Sequence, residues 1–263
     1  MDLIGKVAIV TGASAGTGRA YALALAGAGV TVVAAARSLG RLDREAPARN
    51  TLAEVVQAGQ GLPGRIYAQV CDVAVEADIA RMTEHAVVNF GRLDVLVNNA
   101  GIYPHHPALG VTTEEWDLSM RVNALGPYLA IRHAAPHMIR QRSGSIINIT
   151  SGSAEFRPKG HLAHDDFLTY GVSKAALNRL TTYMAEELKE HGLAVNGLSP
   201  GAVVTDTFAA SFPDEVASVT ASGWGKPSTP EVMGPALLYL ARQSAATMTG
   251  QLVHTDEFGK SWP

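Results

Sequence analysis

Short apolar runs alternate with longer helical patterns along almost the entire chain, and this order restricts the possible folds more than any other feature. Most of these runs are apolar at nearly every position, as expected for strands that are covered on both faces. A repeated strand-then-helix order predicts a parallel sheet with helices on both sides. The predicted strands are 6–11, 30–36, 65–71, 93–98, 144–150, 193–199 and 251–254. The predicted helices are approximately 17–28, 47–59, 76–90, 113–141, 168–191 and 229–242.

The organisation of the chain predicts one domain. We find no proline- or serine-rich linker, no low-complexity tract and no internal repeat in residues 1–263. We therefore predict a single doubly wound, Rossmann-like α/β domain with about seven parallel strands. The least regular part, 201–230, follows a predicted strand end, where ligands bind in such sheets. It predicts a mobile substrate lid at approximately 203–225, with a surface loop and short helix as the alternative.

Composition excludes several classes of protein. The formal net charge is −3 and no long basic run occurs, so we expect no nucleic-acid partner. The single cysteine, Cys71, excludes an internal disulfide and a cysteine metal cluster, and we expect it to be buried. The uncharged segment 20–36 is shorter than the ~20 residues of a spanning helix and is interrupted by Gly27 and Gly29. With no signal-peptide pattern, we expect a cytoplasmic protein that does not bind membranes.

A glycine-rich segment, VTGASAGTGRA, follows the first predicted strand and opens a predicted helix. Gly12, Gly16 and Gly18 have the spacing G-x-x-x-G-x-G, which differs from the G-x-G-x-x-G dinucleotide fingerprint. The physical requirements are shared, because both allow a tight turn, close approach to a pyrophosphate and a helix N-terminus facing the phosphates. A glycine-rich turn without a ligand is the alternative, but the position after the first strand favours a dinucleotide.

The residues after the second predicted strand indicate which dinucleotide is bound. NAD-binding proteins usually place an acidic residue there, whereas the 2′-phosphate of NADP needs a cation. This chain has Ala36 at that position, followed by Arg37 and Ser38. Arg37 would bind the phosphate through charge-assisted hydrogen bonds. Together with Ser14 in the glycine-rich turn, it predicts NADP(H) as the preferred cofactor, with NAD(H) possible.

The segment FLTYGVSKAAL places a tyrosine and a lysine one helical turn apart, with only small residues between them. In a helix, Tyr170 and Lys174 share one face. A free tyrosine has a pKa of about 10, and a fixed ammonium beside it favours the phenolate and lowers that pKa. The pair is a candidate acid/base, although an ordinary half-exposed helical pair has the same spacing.

Five motifs occur in order along the chain: TGASAGTG (11–18), NNAG (98–101), Asn123, YGVSK (170–174) and PG (200–201). On these motifs the sequence resembles the short-chain dehydrogenase/reductase family, from Lys6 to about Gly259. The resemblance implies that the glycine-rich turn binds the pyrophosphate, although Thr17 replaces the usual apolar residue. It implies that Asp72 accepts from the adenine amino group and that Val73 flanks the ring. It also implies that the ribose and nicotinamide are contacted by Asn99, Ala100, Gly101, Pro200, Gly201, Val203 and Thr205.

The same resemblance implies the chemistry of a ketone and a secondary alcohol. Tyr170 would exchange a proton with the substrate oxygen, and Lys174 would favour the phenolate and bind the nicotinamide ribose. Ser151 would orient the substrate oxygen, and Asn123 would hold a water of the proton relay. Ser151 lies further from Tyr170 in the chain than is usual for the family, which makes Ser153 a rival. We prefer Ser151 because it directly follows the predicted strand, where site residues belong.

Other clusters near the predicted site have weaker functional interpretations. HLAHDD (161–166) has metal-ligand residue types, but without a companion cluster we expect a solvated loop and no metal. His105 and His106 follow NNAG, where they are candidates for substrate contact or for ordinary loop positions. A candidate apolar wall opposite the nicotinamide, with core packing as the alternative, consists of Tyr103, Phe156, Phe167 and Trp224.

The patterns 113–141 and 168–191 also predict self-association, because they resemble the helices through which the family forms dimers and tetramers. The pattern 168–191 has apolar residues on more than one face, and simple burial is the alternative: Leu177, Leu180, Tyr183, Met184 and Leu188. We expect a homotetramer first and a dimer second.

Four functional hypotheses remain in competition at this point. The leading hypothesis is an NADP(H)-dependent oxidoreductase of a small-molecule ketone or alcohol. The alternatives are an NAD(H)-preferring relative, a lyase, epimerase or dehalogenase on the same fold, and a non-catalytic nucleotide sensor. Intact Asn123, Ser151, Tyr170 and Lys174 favour the first hypothesis, which is argued from the site as well as the fold.

Overall fold

The predicted parallel sheet is confirmed. A computed structural model describes residues 1–37, 51–155, 167–205, 208–209, 216 and 226–263. Its strands are β1 (Val7–Thr11), β2 (Thr31–Ala36), β3 (Arg65–Val70), β4 (Val95–Asn98), β5 (Gly144–Ile149), β6 (Leu193–Ser199), β7 (Val203–Val204), β8 (Lys226–Pro227) and β9 (Leu252–His254). Seven of them pair in parallel in the order β3-β2-β1-β4-β5-β6-β9, and β7 pairs with β8. The order reverses between β1 and β4, which opens a crevice at the carboxyl ends of these strands.

Helices cover both faces of the sheet, as a doubly wound fold requires. They are α1 (Gly16–Gly27), α2 (Leu52–Ala58), α3 (Glu76–Phe90), α4 (Thr113–Met120), α5 (Gly126–Gln141), α6 (Leu168–Leu188) and α7 (Pro230–Ala241). Residues of α1, α2 and α7 form one apolar layer with the sheet. Residues of α3, α5 and α6 form the other.

The single helix predicted over 113–141 is wrong. Helix α4 ends at Met120, a π-helical segment covers Arg121–Leu125, and α5 begins at Gly126. Pro127 has no backbone N–H, so it cannot donate to the carbonyl of Asn123 as an α-helix would require. The wider segment is stabilised by hydrogen bonds of the Asn123 side chain to the backbone of Ile102, at 2.9 and 2.8 Å.

One further helix boundary differs from prediction, and two short strands were not predicted. The helix predicted over 47–59 begins at Leu52, because the Thr51 side chain accepts a hydrogen bond from the Glu54 backbone N–H and ends the extended chain there. Residues 47–50 lie outside the described residues. The short strands β7 and β8 were not predicted, since two residues carry no readable periodicity.

The uncharged segment 20–36 forms most of α1 and all of β2, and most of it is buried. Across the described ranges, we find no helix that combines the length and the apolarity needed to span a bilayer. The Cys71 thiol is also buried, as predicted, and burial raises its pKa to about 12. The thiol therefore stays protonated at neutral pH.

Candidate functional site

The residues of the predicted site lie at one edge of the sheet. Gly12 follows β1, Asn99 follows β4, Ser151 follows β5 and Pro200 follows β6. Because all four strands run in parallel, their carboxyl ends meet at this edge. The site therefore forms where the strand order reverses.

The glycine-rich turn has a shape that only glycine allows. Gly12 and Gly16 have φ values of +64° and +52°, in the left-handed region that side chains rarely adopt. A Cβ at Gly12 would lie 2.8 Å from the Ala100 Cα, and a Cβ at Gly18 would overlap the Gly12 carbonyl oxygen. The turn therefore packs tightly against the start of α1 and against the segment that follows β4.

The N-terminus of α1 suits an anion. Ala15 is its N-cap residue and offers no side-chain hydrogen bond, and the first turn contains no acidic residue. The first backbone N–H groups of a helix have no intrahelical partner, and the helix dipole adds positive potential there. The glycine-rich turn and this uncapped helix fit the pyrophosphate of a dinucleotide.

The Asn99 side chain stabilises the glycine-rich turn through hydrogen bonds. Its Nδ2 donates to the carbonyl oxygens of Thr11 and Gly12, at 2.9 and 3.2 Å. Thr17 Oγ1 donates to the Asn99 Oδ1 at 2.9 Å. Thr17, which departs from the family pattern, thus fixes the orientation of the Asn99 amide. Both side chains are used within the turn.

Arg37 lies next to the glycine-rich turn. It is the first residue after β2, and the Ala13 N–H holds the turn to this strand by donating to the Ala35 carbonyl at 3.0 Å. Arg37 is exposed, and its guanidinium has no ion pair or hydrogen bond with any described residue. It is therefore available to a ligand. Ser38, the second residue predicted here, lies outside the described residues.

Asp72 and Val73 follow β3 but are partly used by the fold. The Asp72 Oδ1 accepts a hydrogen bond from the Ala74 N–H at 2.9 Å, and we find no partner for its second carboxylate oxygen among the described residues. Val73 is only 9% exposed and belongs to the apolar layer with α3 and α5. That Val73 flanks an adenine ring stays a prediction.

Lys174 is held in the interior beside Tyr170. It is 3% exposed, and its Nζ donates to the Ile149 carbonyl at 2.7 Å. The Nζ also lies 5.6 Å from the centroid of the Tyr170 ring. Burial lowers the pKa of Lys174 to about 8, so the ammonium is still the main form at neutral pH.

The Ser151 side chain lies close enough to the Tyr170 phenol to affect its pKa. Burial raises the pKa of Tyr170 and the Ser151 side chain lowers it, with a net increase above the ordinary value. The net lowering that was predicted from Lys174 is therefore wrong, because desolvation is the largest effect, and the phenol stays protonated at neutral pH. Ser153 reaches the cluster through its backbone N–H, which donates to the Ser151 Oγ at 3.1 Å. The choice of Ser151 over Ser153 stays a prediction.

Asn123 joins this cluster through a buried network. Its Nδ2 donates to the Ile102 carbonyl at 2.8 Å and to the Ser173 Oγ at 2.9 Å, so both amide hydrogens are used. Ser173 donates in turn to the Tyr170 carbonyl at 2.9 Å. Ser173, which sequence reasoning did not select, therefore links the π-helical segment to the first turn of α6.

The loop after β6 contacts the glycine-rich turn. Gly201 has a φ of +79° and lies against the Asp256 carboxylate, which pairs with Lys226. The Thr205 methyl group lies 3.0 Å from the position of a Cβ at Gly16. Pro200 and Val203 are half-buried beside these contacts. This is the base of the predicted lid, most of which lies outside the described residues.

The two histidines after NNAG contact α4 and the residue that precedes α6. The His106 Nε2 lies 2.7 Å from the Glu115 Oε1, and its backbone bridges to Phe167. The His105 ring packs against the Phe167 ring, with centroids 5.1 Å apart. The histidine and aspartate cluster at 161–166 lies outside the described residues. Within the described part of the chain, no group of three or more His, Cys, Asp or Glu side chains suits a metal ion.

Two of the four residues of the predicted apolar wall lie beside Tyr170. The Tyr103 and Phe167 ring centroids are 6.2 and 6.3 Å from that of Tyr170. Phe156 and Trp224 lie outside the described residues.

The strand at 251–254 was predicted, but its contact with the segment that follows Ser151 was not. His254, at the end of β9, lies 2.9 Å from the Glu155 carboxylate, at the end of the segment that follows Ser151. No local signal pairs these residues, since they are almost a hundred positions apart.

Comparison with known proteins agrees with this fold. A family model described as short chain dehydrogenase matches residues 6–216. The 3-oxoacyl-(acyl-carrier-protein) reductase of Thermotoga maritima is 32% identical over 97% of this chain and 98% of its own. The 3beta-hydroxysteroid dehydrogenase 1 of Eggerthella lenta is 34% identical over 97% of this chain and 94% of its own. A Beutenbergia cavernae protein, assigned as an NAD(P)-dependent gluconate 5-dehydrogenase and crystallised with NADP at low occupancy, has a TM-score of 0.80 and 31% identity, covering 97% of this chain and 96% of its own.

Proposed function

This chain belongs to the short-chain dehydrogenase/reductase family and is an NAD(P)-dependent alcohol dehydrogenase or ketoreductase, and we propose that it interconverts a ketone and a secondary alcohol with NADP(H). The observation that carries the proposal is the cluster of Tyr170, Ser151 and Lys174, in which a half-buried phenol lies beside a serine and a buried ammonium. NADPH, when bound, supplies the hydride that reduces the carbonyl carbon.

Tyr170 acts as the acid in the reductive direction. Its raised pKa keeps the phenol protonated at neutral pH, so the hydroxyl is ready to give its proton to the carbonyl oxygen. Ser151 holds the same oxygen through its hydroxyl. Lys174 stabilises the phenolate that remains, because its ammonium lies close to the ring in a site with little water.

The backbone of Asn123 is the proposed route by which Tyr170 regains its proton. Both amide hydrogens of the Asn123 side chain are already used, so the side chain has no donor left for water. Its carbonyl cannot accept from Pro127, which has no N–H, and a carbonyl oxygen has two lone pairs, so it can accept a hydrogen bond from a water. We assign the relay water to this carbonyl, which lies on the segment that Asn123 fixes to α6.

The preference for NADP(H) rests on Arg37. Replacing Arg37 by Ala should lower kcat/KM for NADPH by about 10- to 100-fold, because charge-assisted hydrogen bonds contribute about 1.5–3 kcal/mol. The value for NADH should change little. Arg65→Ala is the matched control. Arg65 is also exposed, but it is the first residue of β3 and so lies at the amino-terminal end of the strands, away from the predicted site. Equal losses with NADPH and NADH would contradict the assignment of Arg37 to the 2′-phosphate.

The proposed reaction is tested by the absorbance of the nicotinamide with purified protein. Ketones and secondary alcohols are offered in parallel with NADPH and NADH. We expect turnover with at least one carbonyl class and a preference for NADPH. Saturable cofactor binding without turnover across the panel would overturn the proposal in favour of a non-redox relative or a nucleotide sensor.

The serine that orients the substrate is tested by a pair of variants. Ser151→Ala should lower kcat by about 10²-fold, because it removes a hydroxyl that stabilises the developing oxyanion. Ser153→Ala should change kcat by less than about threefold, since the Ser153 contact to Ser151 is made by the backbone. Steady-state kinetics with NADPH compare the two, and a reversed order would move the role to Ser153.

We also propose that the protein is a cytoplasmic homotetramer, with a dimer as the alternative. Large apolar side chains on α4, α6 and the π-helical segment are exposed in the single chain, among them Trp116 at 39%, Leu125 at 40% and Tyr183 at 59%. Burial of such a surface between copies would be favourable. Light scattering of the purified protein measures the assembly, and a monomer would contradict it.

A further inference from the structure

Tyr103 stands beside the proposed acid/base without a role in the chemistry described so far. It lies in the loop after β4, and its ring is edge-on to the Tyr170 ring, at an interplanar angle of 78°. Phe167 contacts Tyr170 in a similar edge arrangement, and His105 packs behind Phe167. The side chains on this side of Tyr170 are therefore largely apolar rings, which bind substrate carbon and give little orientation.

The Tyr103 hydroxyl is the exception in this apolar wall. It is shielded from solvent and has no hydrogen-bond partner among the residues that the structure describes. A buried hydroxyl without a partner is unfavourable and uncommon, and such groups are frequently explained by function. An oxygen atom supplied by a bound molecule would satisfy it.

The protonation state of Tyr103 suits a fixed donor. Burial raises its pKa, and the neighbouring Tyr170 raises it further. The hydroxyl therefore keeps its proton at neutral pH, and it remains a donor while Tyr170 gives up and regains its own. Two phenols beside each other would thus have separate tasks, one in proton transfer and one in recognition.

We propose that Tyr103 is a specificity-determining residue that donates a hydrogen bond to a second oxygen of the substrate. The substrate class is a ketone with a hydroxyl or carbonyl oxygen close to the reacting carbonyl. Ser151 and Tyr170 hold the reacting oxygen, while Tyr103 fixes the second one and so selects one orientation of the carbonyl. This inference rests on the proposed function, since it concerns the substrate of the same site.

The test compares matched substrates in wild type and Tyr103→Phe. One pair is ethyl 3-oxobutanoate and 2-heptanone, which have the same chain length, and the other is 2-hydroxycyclohexanone and cyclohexanone. We expect Tyr103→Phe to lower kcat/KM for the oxygenated members by about tenfold, the cost of one hydrogen bond in a site shielded from water. The values for the plain ketones should change by less than about twofold, as should the Kd of NADPH.

Tyr67→Phe is the control, because Tyr67 is a partly exposed tyrosine on the edge strand β3. A keto ester is intrinsically the more reactive ketone, so the ratio between wild type and variant is decisive. An equal loss on both members of a pair would mean that Tyr103 only packs, and a higher Kd for NADPH would mean that it contacts the cofactor. Either result overturns this inference and leaves the proposed function standing. Absence of turnover on every ketone overturns the proposed function, and this inference with it.

Discussion

Replacing Tyr170 by Phe lowers the turnover of any ketone substrate by about 10²- to 10⁴-fold, the usual contribution of a positioned general acid. The phenol hydroxyl supplies the proton, whereas the ring makes the contacts with Tyr103 and Phe167 and lies 5.6 Å from the Lys174 Nζ. Phenylalanine keeps the ring, so the fold and the Kd of NADPH should stay within about twofold of wild type. Steady-state kinetics measure the turnover, and a fluorescence titration with NADPH measures the Kd.

Tyr183→Phe is the matched control for this prediction, because Tyr183 lies on the same helix α6 and is 59% exposed. It should turn over substrate as wild type does. Turnover retained by Tyr170→Phe would show that another group delivers the proton, and the mechanism given to Tyr170 would be wrong. A large rise in the Kd of NADPH would instead place the main effect of Tyr170 on cofactor binding.

Replacing Gly18 by Ala is expected to disrupt cofactor binding. The new Cβ would overlap the Gly12 carbonyl oxygen of the glycine-rich turn and the Asn99 amide that is hydrogen-bonded to it. Relieving this overlap must move backbone, at a cost to the free energy of unfolding of about 1–3 kcal/mol. The Kd of NADPH should rise about tenfold for each ~1.4 kcal/mol of free energy that is needed to restore the turn to the shape that binds the cofactor. Calorimetry measures the Kd, and a denaturant titration measures the unfolding free energy.

Gly27→Ala is the control, because it makes the same substitution in the same helix. Gly27 is the last residue of α1, and a Cβ there would meet nothing within 4 Å. Alanine is favoured over glycine in a helix by up to ~1 kcal/mol, so this variant should be as stable as wild type or more stable. If Gly18→Ala binds NADPH as tightly as Gly27→Ala does, the glycine-rich turn is not the pyrophosphate site.

Some elements could be predicted closely because their signals are local. Helix α3 spans Glu76–Phe90 as predicted, with acidic residues in its first turn and Gly91 in the left-handed conformation at its end. The strand β6 spans Leu193–Ser199 as predicted, because a short, largely apolar run after a long helix is typical of a buried parallel strand. Helical periodicity does not reveal the π-helical segment, because its stability depends on contacts of Asn123 with a loop more than twenty positions away.

The sequence by itself determined the doubly wound fold, the glycine-rich turn, the position of Arg37 and the spacing of Tyr170 and Lys174. These features follow from periodicity, from glycine conformations and from residues one helical turn apart, all of which are properties of short segments. Only the tertiary structure decided that Ser151 lies near enough to Tyr170 to affect its pKa, that Thr17 orients Asn99 and that the Tyr103 hydroxyl has no partner among the described residues. Each of these depends on which distant segments meet at the carboxyl edge of the sheet and on how much water their packing excludes, and neither is written in any single stretch of the chain.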